Sequence, residues 1–221
     1  MVNSIKKYVR MIEKHFEKTN RQSKAAGSRG HATIRINSLC YVIRPVSPAD
    51  IFALFQMHQR LSKETLFYRY LALRRPTITE METICSLSVS EGAAFVAQRK
   101  DKSDTIVGLV YYRFDPTHPK ENPEFAIVVE DRFQGCGIGK ALLKYLCRYA
   151  AEIGINGLNA SIHPLNRRMR SLLNRADHRV TEKTGFDKVE ATVHLQSDTA
   201  VSGNGFFGLK GLADPLAGLN I

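Results

Sequence analysis

The sequence predicts an α/β (α+β) domain, and two observations carry the prediction. Residues Glu124 to Tyr149 read without a break as an apolar strand, a glycine-rich turn and an amphipathic helix. Strand-like and helix-like runs also alternate over most of the chain, each bounded by proline, glycine or a capping residue. At 221 residues, 43% hydrophobic and 24% charged, the chain has the composition of an ordinary globular protein with one domain and extensions. The expected division is a basic helix and linker over residues 1–37, the folded domain over 38–196 and a C-terminal extension over 197–221.

In residues 3–18, Ile5, Tyr8 (or Val9), Ile12 and Phe16 fall at helical spacing, with Lys and Glu on the other faces. The basic helix could touch nucleic acid, anionic lipid or a partner; docking on its own domain or on a second subunit is preferred. Thr19 to His31 reads as a flexible linker. Ser38 to Val46 opens the domain as a strand. Ser47 then caps a helix with Pro48 at its first position and Ile51, Leu54, Phe55, His58 and Leu61 on one face. Ser62 caps a short helix through Leu66, Tyr68 and Leu71, and Thr79 caps another after the break at Pro76. Gly92 to Arg99 and Thr105 to Phe114 form a hairpin, and three prolines make Asp115 to Pro123 irregular. After the central helix, Leu158 to Ile162 is a strand and Arg167 to Ala176 a helix; residues 176–195 close the domain as a second hairpin.

Glycines alternate at Gly135, Gly137 and Gly139, where the central strand turns into the helix. Without Cβ atoms the backbone can approach a ligand closely, and the unpaired N–H groups of the first helical turn can hold an anion. The dinucleotide pattern fails at Lys140, and no GK[ST] is present, so a Walker loop is excluded. The pattern Q/R-x-x-G-x-G/A fits twice, from Gln134 and from Arg132. With this strand, turn and helix, the chain resembles the GNAT N-acetyltransferase superfamily.

That resemblance implies the GNAT fold, a mixed six- to seven-stranded central sheet flanked by helices, with acetyl-CoA as co-substrate. It implies that the turn residues Arg132, Gln134, Gly135, Cys136, Gly137, Ile138, Gly139 and Lys140 receive the pyrophosphate. The Val128 and Val129 backbone would lie beside the thioester and pantetheine, and the Asn166 side chain would bond the pantetheine arm. The segments RP-x-x-P-x-D, LSKETLFYRYL, TITEME and PEFAIVVEDRFQGCGIGKALL look like the GNAT domain of Pat-type bacterial protein lysine acetyltransferases. In those proteins the domain sits on a longer chain, and the resemblance here covers about residues 38–196. One departure is that the Gly-Phe pair usual eleven residues after the Asn is replaced by Asp177-His178. Gly185-Phe186 lies further on, in the closing hairpin, which keeps Asn166 as the site and makes Asn174 a surface residue.

An amine attacking a thioester must first lose its proton, and roughly one lysine in a few thousand is neutral at pH 7. Glu124, at the head of the central strand, is the candidate general base. Burial beside Phe125 would raise its pKa toward the useful range, and Pat-type enzymes carry their base at this step of the motif. A backbone N–H of Val128 or Val129 would stabilise the oxyanion, since the resemblance implies a sheet that splays open at this strand. The superfamily often protonates the CoA thiolate with a tyrosine on the helix after the fifth strand; no Tyr follows Tyr149 here. Cys136 has no placed His partner and is not read as a nucleophile. Tyr68 and Arg69 fall where the superfamily borders its acceptor cleft.

The net charge of +11 is uneven, since Lys6, Lys7, Arg10, Lys14, Lys18, Arg21, Lys24 and Arg29 face only Glu13 and Glu17. A specific nucleic-acid partner is therefore not expected. Cys40, Cys85, Cys136 and Cys147 make no CxxC pair, which points to reduced thiols in a cytoplasm and to no zinc site; the histidines form no ligand cluster, so no metal is expected. No apolar run approaches the ~20 residues of a membrane span. The acceptor is a protein lysine or a small amine, with a non-catalytic acyl-CoA sensor as the alternative class. Residues 197–221 either wrap the domain or pack between the subunits of a homodimer.

Overall fold

The computed structural model describes residues 31–36, 38–101, 105–118 and 121–195. The expected N-terminal helix, its linker and the C-terminal extension lie outside the described residues. Eight strands form one sheet in the order β1-β2-β3-β4-β5-β6-β8-β7. They are β1 (Ala32–Ile36), β2 (Leu39–Pro45), β3 (Gly92–Arg99), β4 (Ile106–Arg113), β5 (Glu124–Val129), β6 (Gly157–Ile162), β7 (Arg179–Thr184) and β8 (Val189–His194). Only the β5–β6 neighbours run parallel, so the sheet is mixed. Five helices accompany it among the described residues: α1 (Ile51–Gln59), α2 (Lys63–Tyr70), α3 (Ile78–Cys85), α4 (Ile138–Glu152) and α5 (Arg167–Asn174).

The strand count exceeds the six or seven expected. The added strand is β1, whose sequence ATIRI pairs antiparallel with β2 from Ala32↔Ile43 to Ile36↔Leu39. It lies in the stretch read as linker, ahead of the domain start expected at residue 38. Its alternation of apolar and polar residues is real, but five residues are too few to stand out beside the glycine-rich run before them.

Side chains alternate across the sheet and create two cores. On one face Tyr41, Ile43, Phe95, Val110, Tyr112 and Phe125 meet the α4 stripe Ile138, Leu142, Leu146 and Ala150. Tyr145 and Tyr149 of α4 both pack edge-on against Phe95, with ring centroids 4.9 Å away in each pair. Gly108 lets the helix approach; a Cβ there would come within 2.9 Å of the Leu142 Cδ1. On the other face Val96, Leu109 and Val128 meet Leu54 and Met57 of α1, Leu66 of α2, and Met81 and Ile84 of α3.

The cap of α3 differs from expectation. Thr77, rather than Thr79, is the N-cap; its hydroxyl accepts from the Glu80 N–H while the Glu80 carboxylate accepts from the Thr77 N–H at 2.8 Å. The capping-box spacing Thr-x-x-Glu runs from Thr77 to Glu80 and also from Thr79 to Glu82, so the signature alone did not choose between the two threonines. Thr77→Ala is expected to lower the unfolding free energy by about 1 kcal/mol, within a range of ~0.5–2, read from urea midpoints. Thr79→Ala removes no cap and should leave the midpoint nearly unmoved.

Candidate active site

The sheet opens at β5. Its register with β4 is continuous from Arg113↔Glu124 to Gly108↔Val129, but its register with β6 is confined to Glu124↔Asn159. There the Asn159 N–H donates to the Pro123 carbonyl at 2.9 Å; beyond that point the two strands diverge. Backbone direction alternates along a strand. The Glu130 N–H donates to Val107 O on the β4 side, so the Val128 N–H also points to β4. The N–H groups of Ile127 and Val129 face the open edge. Of the two valines expected beside a thioester, Val129 has the donor directed at the cleft.

At the wide end of the cleft stands the glycine turn. Gly135 and Gly137 have φ of +76° and +104°, in the left-handed region that side chains rarely adopt. A Cβ on Gly135 would meet nothing within 4 Å, and one on Gly137 only the Ile36 Cδ1 at 3.9 Å. The protein's own packing therefore does not demand these glycines; they hold a backbone shape and keep space in front of it open. Gly137 is the N-cap of α4 and contributes no side-chain cap, and the first turn of this 15-residue helix carries no acidic residue. The N–H groups at its start lack intrahelical partners and lie at the positive end of the helix dipole. Such a cradle fits a pyrophosphate.

The remaining turn residues have distinct surroundings. Gln134 braces the site with its amide: Nε2 donates to Val129 O at 2.8 Å and to Thr65 Oγ1 at 3.2 Å, and Oε1 accepts from Arg168 of α5. Arg132 is exposed, ion-paired with Glu130 at 2.6 Å and stacked on Phe133. The Cys136 thiol donates to Phe133 O at 2.7 Å, Ile138 is buried in the core, Gly139 is half-buried against Leu172, and Lys140 is exposed, 3.8 Å from Asp177. Across the cleft, the Asn166 side chain caps α5 by accepting from the Met169 N–H at 3.0 Å, leaving its amide nitrogen without a partner among the described residues. Asn174 is exposed on the same helix.

Glu124 lies where the strands part, but the expected burial is absent. It is exposed while Phe125 is 2% exposed, because adjacent strand residues point to opposite faces. Its face is that of Val128, Leu109 and α2, with Arg113 directly across the ladder. Lys188 of the closing hairpin is near enough for Glu124 to help raise its pKa, after the larger influence of Glu190.

Sequence reasoning missed the group that fixes α2 over this face. Asp131, just after β5, accepts from the Ser62 N–H at 2.9 Å, from the Ser62 hydroxyl at 2.6 Å and from the Thr65 hydroxyl at 2.7 Å. Burial alone would raise the Asp131 pKa, but these hydrogen bonds outweigh it and hold the carboxyl below its usual value. Ser62 was legible as the N-cap of α2; its partner lies 69 residues away and left no local signal. So anchored, α2 sets Phe67 and Tyr68 against His163 of the β6–α5 loop, with ring centroids at 5.1 and 5.8 Å.

The sequence profile of the Acetyltransferase (GNAT) family matches residues 55–186. The acetyltransferase Pat of Mycolicibacterium smegmatis is 27% identical over 135 residues, 61% of this chain and 40% of that protein. The chain thus spans well under half the length of this curated relative. The solved GNAT domain of Streptomyces lividans PAT superposes with a TM-score of 0.66 at 22% identity, covering 75% of this chain and 97% of that one. The Salmonella typhimurium protein yncA, solved with its cofactor acetyl-CoA, superposes with a TM-score of 0.56 at 17% identity, covering 75% and 99%. With its matched profile, its mixed sheet parted at β5 and its glycine turn, this chain belongs to the GNAT acetyltransferase family.

Proposed function

We propose that the chain uses acetyl-CoA to acetylate the ε-amine of a protein lysine, in the cytoplasm, with Glu124 as general base. The observation that carries the reading is the open β5 edge, with the glycine cradle at one end and a carboxylate at the other. The lysine acceptor is supported by the resemblance of PEFAIVV and its neighbours to Pat-type protein lysine acetyltransferases and by the 27% identity to a Pat acetyltransferase over 135 residues.

The cradle at Gly135–Gly139 would hold the pyrophosphate, with Asn166 and the Ile127–Val129 edge along the pantetheine arm. The bound co-substrate supplies an activated acetyl thioester. The Val129 N–H, which faces the open edge, would bond the thioester oxygen as it gains charge. Glu124 takes the amine proton, directly or through one water, and its exposure at the cleft keeps that proton exchangeable with solvent. No tyrosine follows Tyr149, so the helix after β6 offers none to the thiolate, whose low basicity permits it to leave unaided.

Calorimetry with acetyl-CoA, followed by CoA release with lysine peptides and a small-amine panel, tests the reading. Binding with peptide-dependent release is expected. Release with small amines alone would replace the acceptor, and binding without release from any acceptor would leave an acyl-CoA sensor.

A further inference from the structure

Arg69, in the last turn of α2, is a cation without a counter-ion among the described residues. Its guanidinium carbon lies 4.7 Å from the Tyr70 ring centroid and 5.2 Å from that of Tyr111, and its Nη2 donates to the Tyr111 hydroxyl. Its Nε is buried and makes no hydrogen bond, and no carboxylate pairs with it among the described residues. Arg74, on the same Tyr70 ring at 4.6 Å, is different: Glu80 takes it in a bidentate pair at 2.8 and 2.9 Å. Holding a partly buried guanidinium unpaired is costly, and a fork fixed between two rings is a ready receptor for a carboxylate.

Its position relates it to the reaction. Tyr111 stands opposite Ala126, and Arg113 opposite Glu124, in the β4–β5 ladder. Residues two apart share a face and lie about 7 Å apart along the strand, so Arg69 borders the face that carries the base. Arg113 is the ladder partner of Glu124, and Lys188 is near enough to feel its charge. An incoming lysine ammonium meets this group of cations, and an anion carried beside it would offset the repulsion.

We propose that Arg69 binds a carboxylate of the acceptor, so that the chain acetylates lysines with an Asp or Glu beside them. This rests on the protein-lysine reading above. The same carboxylate chemistry is present in a free amino acid, and the test separates the two sources.

The test compares kcat/KM for two lysine peptides that differ only in Glu or Gln beside the lysine, with free lysine as a third acceptor. A charge-assisted, bidentate contact corresponds to a preference of roughly 10–100-fold for the acidic peptide. Arg69→Gln should bring that ratio to about one, and Arg69→Lys should restore part of it, with acetyl-CoA binding as the check that each variant is folded. The ratio in the unaltered protein needs no variant. Equal rates on the two peptides, or a ratio unchanged in Arg69→Gln, overturn this proposal alone. Free lysine turned over faster than either peptide overturns it by assigning the carboxylate to a small substrate. If neither peptide is acetylated, the lysine reading falls and this proposal falls with it.

Discussion

Glu124→Gln is expected to lower kcat at neutral pH by about 10²–10⁴-fold, the usual contribution of a positioned base. Acetyl-CoA affinity should stay within about twofold, because the substitution is isosteric at an exposed strand end, away from the glycine cradle. The deficit should also depend on pH. A base matters most when almost every acceptor amine is protonated, and lysine loses its proton near pH 10.4. The ratio of unaltered to variant rate should therefore shrink as pH rises from 7 toward 10. A pH-rate profile of both proteins on one lysine peptide checks this. Equal rates at pH 7 would remove Glu124 from the chemistry. A constant ratio across the range would make it a group that orients the acceptor rather than one that deprotonates it.

The exposure of Glu124 bears on what a sequence can tell. Its place at the head of β5 was legible, because Pro123 precedes it and an apolar run follows. Its surroundings were not, because the side chain turns away from Phe125 and faces α2, whose position depends on tertiary contacts. The glycine turn was legible for the opposite reason. Gly135 and Gly137 are required by local backbone conformation, which sequence records directly, and no distant neighbour enforces them. Gln134 lies between these cases. Its spacing marked it as part of the turn, yet its amide spends its hydrogen bonds joining β5, α2 and α5. The parting of β5 from β6 was expected from the resemblance alone, since nothing in PEFAIVV or GLNASI states how far two parallel strands will pair.

Gly137→Ala is the second large expectation, on binding rather than turnover. Alanine at φ +104° costs of order 1–3 kcal/mol in strain, and its methyl group would enter the open space before the first turn of α4, within reach of only the Ile36 Cδ1. The strain should appear as a lowered unfolding midpoint. The methyl group, placed where an anion must approach the N–H groups, should weaken acetyl-CoA binding by roughly 10–100-fold, beyond what the strain explains. Gly139→Ala provides the contrast. That residue lies inside the helix, without a positive φ, and its Cβ would make ordinary contact with Leu172 at 3.7 Å. There alanine should leave stability unchanged or raise it by up to about 1 kcal/mol, and acetyl-CoA binding should survive. Calorimetric titration and urea unfolding of the two variants separate a phosphate cradle from a turn that only joins a strand to a helix. If both alanines lower stability alike and neither alters acetyl-CoA affinity, the glycines serve folding alone, and the pyrophosphate must be sought elsewhere on the open β5 edge.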